Sequence, residues 1–267
     1  MFLLGIIPYL CNMISKAEIK LIRSLNQKKW RMREGLFVAE GSKVVGDLMK
    51  VYQPVLLCAT RTWFQDFKEY IGNQTKVVEI LPDELHKISF LQHPQEVLGV
   101  FPTMDFQKSD INLHAEHELC LALDGVQDPG NMGTIIRIAD WFGIKHLYCS
   151  EDTVDLYNPK VVQATMGSIA HVSVIYTSLP NFILSKGKHY PVYGTMLEGT
   201  SIYEQKLESY GMIVMGNEGR GLSEPVRSLI TQKLLIPSFP AGTSKADSLN
   251  VAVASAIVCS EFRRRYM

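Results

Sequence analysis

Three stretches of this 267-residue sequence gather side chains suited to holding and reacting a ligand. In the first, Gly125, Pro129, Gly130 and Gly133 surround Asn131, and Arg137 follows in the second turn of an expected helix. A guanidinium keeps its proton under ordinary conditions, so Arg137 is suited to holding a phosphate or steadying negative charge on an oxygen. In the second, Gly216, Gly219 and Gly221 flank Glu218; three glycines in six residues let backbone groups approach a ligand closely. In the third, Ile236 leads to Ser248, Leu249 and Asn250 at the entrance of an Ala- and Val-rich helix. Neither GxGxxG nor GK[ST] occurs, which counts against a dinucleotide fold and a nucleotide P-loop. Taken singly, each stretch also reads as a plain connector, with Asn131, Ser223 and Ser248 as helix N-caps.

The elements around these stretches alternate. Leu36 to Ala39, Pro54 to Ala59, Lys76 to Leu81 and Val97 to Phe101 read as strands, with helices at Ser15 to Leu25, Ser42 to Met49, Arg61 to Ile71 and Pro82 to Ser89. A polar stretch, residues 103–118, follows as a linker. Strands are then expected at Leu119 to Asp124, His146 to Cys149, His171 to Tyr176, Val192 to Met196, Met212 to Met215 and Leu234 to Ile236. Helices are expected at Asn131 to Phe142, Asn158 to Met166, from Ser178, from Ser223 and at Ser248 to Arg264. Such alternation argues for a parallel sheet covered on both faces. In sheets of that kind ligands bind at the carboxyl ends of strands, where all three stretches begin.

Composition narrows the classes. Net charge is zero, which excludes a globally basic nucleic-acid binder but leaves room for a local patch. One such patch spans residues 16–34, where Lys16, Lys20, Arg23, Lys28, Lys29, Arg31 and Arg33 face only Glu18 and Glu34. Trp30 lies inside it and could stack on a base; the same run also reads as a solvated helix face with Trp30 in a core. The cysteines Cys11, Cys58, Cys120, Cys149 and Cys259 show no metal-ligand spacing and suit reduced thiols in the cytoplasm. No metal is expected. Residues 1–12 are apolar but too short to span a bilayer, and they read as an N-terminal extension.

Taken in order, the three stretches resemble the signature motifs of the SpoU family of RNA 2′-O-ribose methyltransferases, within the SPOUT superfamily. The resemblance runs from Leu119 to the end and includes the segment Asn158 to Ala170. Phe37 to Gly41 and Gln95 to Val100 resemble the family's ribosomal-protein-like N-terminal α/β domain. It implies an α/β fold with a substrate-binding domain (13–102), a linker (103–118) and a methyltransferase domain (119–267) with a deep trefoil knot. It further implies an S-adenosylmethionine cofactor, rRNA or tRNA as substrate, and a homodimer with no membrane association. By motif position, Asn131 and Arg137 belong to the ribose site, with Ser248, Asn250 and Glu218 facing the reacting centre. Thr195, Met196, Leu197, Gly216, Glu218, Gly219, Ile236 and Leu249 belong to the cofactor pocket. The stretch between Pro237 and Ser248 is several residues longer than the family's usual spacing.

Two other readings stay open: a related knotted enzyme methylating a base, and an RNA-binding module without activity. The organisation predicts that a fragment starting near Asp110 binds S-adenosylmethionine in calorimetry. It also predicts that loss of the residues before Thr103 spares that binding but weakens RNA binding. The lost contacts should carry a salt slope of about −0.7 per phosphate neutralised. Undiminished RNA binding by the shortened protein would refute the division.

Overall fold

The computed structural model describes residues 14–104, 117–240 and 248–266. The expected extension, most of the linker and the stretch 241–247 lie outside them. The described chain divides into two compact units: the residues up to Thr103 together with Tyr157–Gln163, and the remainder. Placement of 157–163 with the first unit differs from the expected division at residues 103–118. Its Tyr157 ring lies 4.7 Å from that of Phe37.

In the first unit, α1 (Lys16–Ser24) starts at Ser15, whose hydroxyl accepts from the Glu18 amide while the Glu18 carboxylate accepts from the Ser15 amide. This reciprocal cap satisfies two amides that a helix start leaves unpaired. The basic run continues in a separate helix, α2 (Lys28–Glu34), which ends at Gly35 with φ 62°. The strands β1 (Leu36–Glu40), β2 (Leu56–Ala59), β3 (Lys76–Glu79) and β4 (Val97–Pro102) form a sheet in the order β1-β4-β2-β3, with only β2 and β3 parallel. Helices α3 (Ser42–Met49), α4 (Arg61–Phe67) and α5 (Pro82–Ile88) connect them. Ile22 and Leu25 pack with Val38, Cys58, Val78, Leu98 and Ile88 in the core.

In the second unit, β5 (Leu119–Asp124), β6 (His146–Cys149), β7 (Ser173–Tyr176), β8 (Val192–Ser201), β9 (Gly211–Gly216) and β10 (Gln232–Leu235) form a parallel sheet. Its order is β10-β8-β9-β5-β6-β7. Every residue of β5 is buried, the pattern of a central strand covered on both faces. Helix α6 (Pro129–Trp141) follows β5. Its cap is Asp128, with Pro129 at the first helical position, and not Asn131 as expected. α7 (Pro159–Ala164), whose residues 159–163 belong to the first unit, stops short of the expected Met166, which holds φ 50°. α8 (Leu179–Ser185) and α9 (Glu224–Arg227) are short.

Strand β8 is twice its expected length, because its pairing is interrupted. It pairs β9 through Val192, Tyr193 and Gly194, and its partner on β10 then jumps from Gly194 to Thr200. Residues 195–199 therefore stand out of the ladder. α10 (Val251–Arg264) closes the unit; its cap is Asn250 rather than Ser248, with the Asn250 side chain accepting from the Ala252 and Val253 amides. At its far end Arg265 donates to the Ile202 and Tyr203 carbonyls at 2.8 and 3.2 Å and is held by Glu261. The Tyr266 hydroxyl donates to the Leu207 carbonyl at 2.6 Å. No described helix is long and apolar enough to cross a membrane.

At the end of the bulge, a Cβ on Gly199 would come within 2.8 Å of backbone atoms of Lys233, Leu234 and Leu235. Gly199→Ala should force β8 away from β10 and destabilise the protein by about 1 to 3 kcal/mol, the usual cost of overpacking. Thermal unfolding measures this; an unchanged melting temperature would show that the bulge shifts freely.

Candidate functional site

β5 and β9 lie side by side, and the strand order reverses between them, so their carboxyl ends open the crevice where ligands bind in such sheets. At that edge the buried Asp124 accepts from the Ser223 amide at 2.6 Å. The Asn217 side chain donates to the Gly125 carbonyl at 2.7 Å and accepts from the Gly219 and Arg220 amides at 2.9 and 3.0 Å. Backbone bonds between Asn217 and Gly221, both 2.9 Å, fold the 216–221 loop into a tight turn. A Cβ on Gly216 would sit 2.5 Å from the Gly221 carbonyl carbon, so glycine is required there.

This loop forms one wall of a cavity of about 450 Å³, within the range of small-molecule sites. The bulge supplies Thr195, Met196, Leu197 and Glu198; β10 and its exit supply Leu234 to Ile236; the start of α10 supplies Ser248, Leu249, Val251 and Ala254. All eight residues expected to hold the cofactor, Thr195, Met196, Leu197, Gly216, Glu218, Gly219, Ile236 and Leu249, line this one cavity. The lining pairs apolar side chains with glycine-rich backbone. That combination fits an adenosyl group, whose flat base needs apolar contact and whose polar edges need backbone partners.

Three of the five residues expected at the reacting centre, Asn131, Glu218 and Asn250, are joined by hydrogen bonds. The Asn131 side chain donates to the Glu218 carboxylate at 2.7 Å and accepts from the Asn250 side chain at 2.9 Å. One amide thus ties the first stretch to the other two. Arg137 is exposed and has no hydrogen-bond or ion-pair partner among the described residues. Across the cavity rim Arg227 pairs with Glu198. The sequence reading missed Asn217, Glu198 and Arg227. For Asn217 a signal existed, since an Asx side chain at the head of a glycine turn often bonds backbone amides two and three positions on.

In the first unit, Lys16, Lys20, Arg23, Lys28, Lys29 and Arg33 are exposed. Trp30 is half-buried, with the Arg33 guanidinium carbon 4.7 Å and the Lys29 amine 5.5 Å from its ring centre. Arg31 must be withdrawn from the patch. It is 4% exposed and donates to the Leu25 and Asn26 carbonyls at 2.8 Å each, so its charge closes the end of α1.

Nucleophilic sulfur is not on offer. Burial pushes the thiols of Cys58, Cys120 and Cys259 up to about 12. Among the described residues no cluster of three or more His, Cys, Asp or Glu could hold a metal ion.

A model of the SpoU rRNA Methylase family matches residues 118–260, and a model of an MRM3-like substrate binding domain matches residues 16–99. The chain is 29% identical over 252 residues to the 23S rRNA (guanosine(2553)-2′-O)-methyltransferase RlmP of Bacillus subtilis, covering 92% of this chain and 96% of that protein. A putative RNA methyltransferase of the TrmH family from Porphyromonas gingivalis superposes with a TM-score of 0.86 at 39% identity, covering 95% of this chain and all of that one. The AdoMet-bound rRNA methyltransferase from Sinorhizobium meliloti superposes with a TM-score of 0.84 at 29% identity, covering 96% of this chain and 98% of that one.

The Asn131 contact gives a direct test. Asn131→Asp removes the donor to Glu218 and sets two carboxylates at hydrogen-bond distance, which raises a carboxyl pKa in the folded state. A raised folded-state value costs nothing at pH 4 and destabilises as pH rises through it. The melting temperature of the variant should fall behind that of the parent between pH 4 and 7. Because Glu218 is exposed, the gap should reach about 1 kcal/mol or less. A gap independent of pH would show that the two side chains do not meet.

Proposed function

The chain belongs to the SpoU rRNA methylase family, and we propose that it is an S-adenosylmethionine-dependent enzyme that methylates a ribose 2′-hydroxyl of ribosomal or transfer RNA. The observation that carries this reading is the Glu218–Asn131–Asn250 chain of hydrogen bonds beside a cavity lined by every residue expected to hold the cofactor. When bound, the cofactor supplies an electrophilic methyl group. The chain's own residues must align and activate the hydroxyl, which is a weak nucleophile.

In this reading Asn131, Ser248 and Asn250 orient the ribose by hydrogen bonds. Glu218 holds the Asn131 amide in place and belongs to the wall of the cofactor cavity. Arg137 anchors a phosphate and stabilises the negative charge that develops on the oxygen; its free guanidinium leaves it available for that. In a homodimer Arg137 of one protomer would serve the cofactor site of its partner. Residues 13–102 act as the RNA-binding domain, residues 103–118 as a linker and 119–267 as the methyltransferase domain. Support comes from the substrate binding domain model matched there and from the exposed lysines and arginines of α1 and α2. The trefoil knot, formed by the C-terminal segment, and a cytoplasmic location belong to the same proposal. The buried free thiols accord with a reducing compartment.

Single-turnover methyl transfer at saturating RNA tests the role of Arg137. Arg137→Ala should slow the step on the order of 100-fold or more, with cofactor affinity in calorimetry little changed. Arg137→Lys should recover little, because an ammonium lacks the planar fork that grips phosphate and ribose together. Near-normal rates in Arg137→Ala would remove it from the mechanism. Digestion of the product to nucleosides should yield a 2′-O-methylated ribose, and a methylated base would overturn the assignment.

A further inference from the structure

Arg227 and Glu198 both line the cavity, yet they come from different walls. Glu198 stands in the 195–199 bulge, which the register jump leaves outside the ladder. Arg227 ends α9, just after the glycine loop of the opposite wall. Their ion pair therefore ties the bulge to the far side of the cavity. Both side chains are about half exposed, 45% and 47%, so water and salt reach the pair.

We infer that the Glu198–Arg227 pair is a clasp across the cofactor cavity: it positions the bulge against the cavity and opens to let the cofactor exchange. This rests on the reading of the cavity as the cofactor site. The two residues are positioning groups that act through the bulge, and Leu197, the exposed side chain that the bulge carries into the cavity lining, is the one they hold in place. Because an exposed pair contributes modestly, the clasp should change cofactor release by no more than about fivefold. It should also weaken with salt.

The test measures release of radiolabelled S-adenosylmethionine from the full-length protein, chased with excess unlabelled cofactor. Glu198→Gln and Arg227→Gln should each speed release about threefold to fivefold, and the double variant should release no faster than either alone. Exchanging the charges, Glu198→Arg with Arg227→Glu, should return release close to the parent rate. Raising salt should speed release from the parent and leave Glu198→Gln unmoved. A charge-swapped protein that releases as fast as the single variants would overturn the clasp, since one of the side chains then touches the cofactor directly. Parent-like release from both single variants would also overturn it. A parent that binds no cofactor would overturn the cofactor reading itself, which the other two outcomes leave standing.

Discussion

Asn131 has one side-chain amide, and both of its ends are committed: the nitrogen to Glu218 and the oxygen to Asn250. Those partners lie 87 and 119 residues away along the chain. Neither contact can form from local structure. Each needs β5, β9 and α10 already in place, so the amide reports whether the whole second unit is assembled. The same residue is tied to the loop that precedes it, since its backbone amide donates to Asp128 at 2.8 Å. A residue fixed by two side-chain bonds and one backbone bond loses little further freedom when it orients a ligand, and this is the physical content of preorganisation.

Backbone bonding does the remaining work of holding the strand ends together. Asp124 and Asn217 reach across the β5–β9 boundary in opposite directions, one accepting from Ser223 and the other donating to Gly125. Both bonds join side chain to main chain, and such a bond fixes a loop without regard to the loop's own side chains. The loops are thereby free to carry Glu218 and the glycines whose backbone lines the cavity. Close approach at Gly216 excludes any larger residue there.

Much of this was legible in the residues. Alternation located the parallel strands because each is a short apolar run, and the glycines and Asx residues at their ends marked the loops of the site. What escaped notice has physical causes. Asp128 and Asn131 can both cap a helix, and the fixed φ of Pro129 at the first helical position selects Asp128. Ser248 and Asn250 compete likewise, and Asn250 takes the cap while its nitrogen bonds Asn131, a partner no local pattern reveals. The β8 bulge depends on its register with β10, a pairing set by tertiary structure. Arg31 belongs to a basic run whose charge says nothing of which member turns inward to close α1. Separation of residues 157–163 from the unit that surrounds them in sequence was equally invisible, since their helical pattern carries no mark of the core they join.

The contacts made by Glu261, Arg265 and Tyr266 have a bearing on how the molecule is made. They fasten the segment between β8 and β9, with carbonyls at Ile202, Tyr203 and Leu207 as acceptors. Chains leave the ribosome amino end first, and domains fold largely as units in that order. Here Arg265 and Tyr266 complete a loop written some sixty positions earlier, as the sequence separations of 59 and 63 show. The first unit's sheet draws on strands that all emerge early, whereas the second unit gains these contacts only once residues 261–266 have emerged.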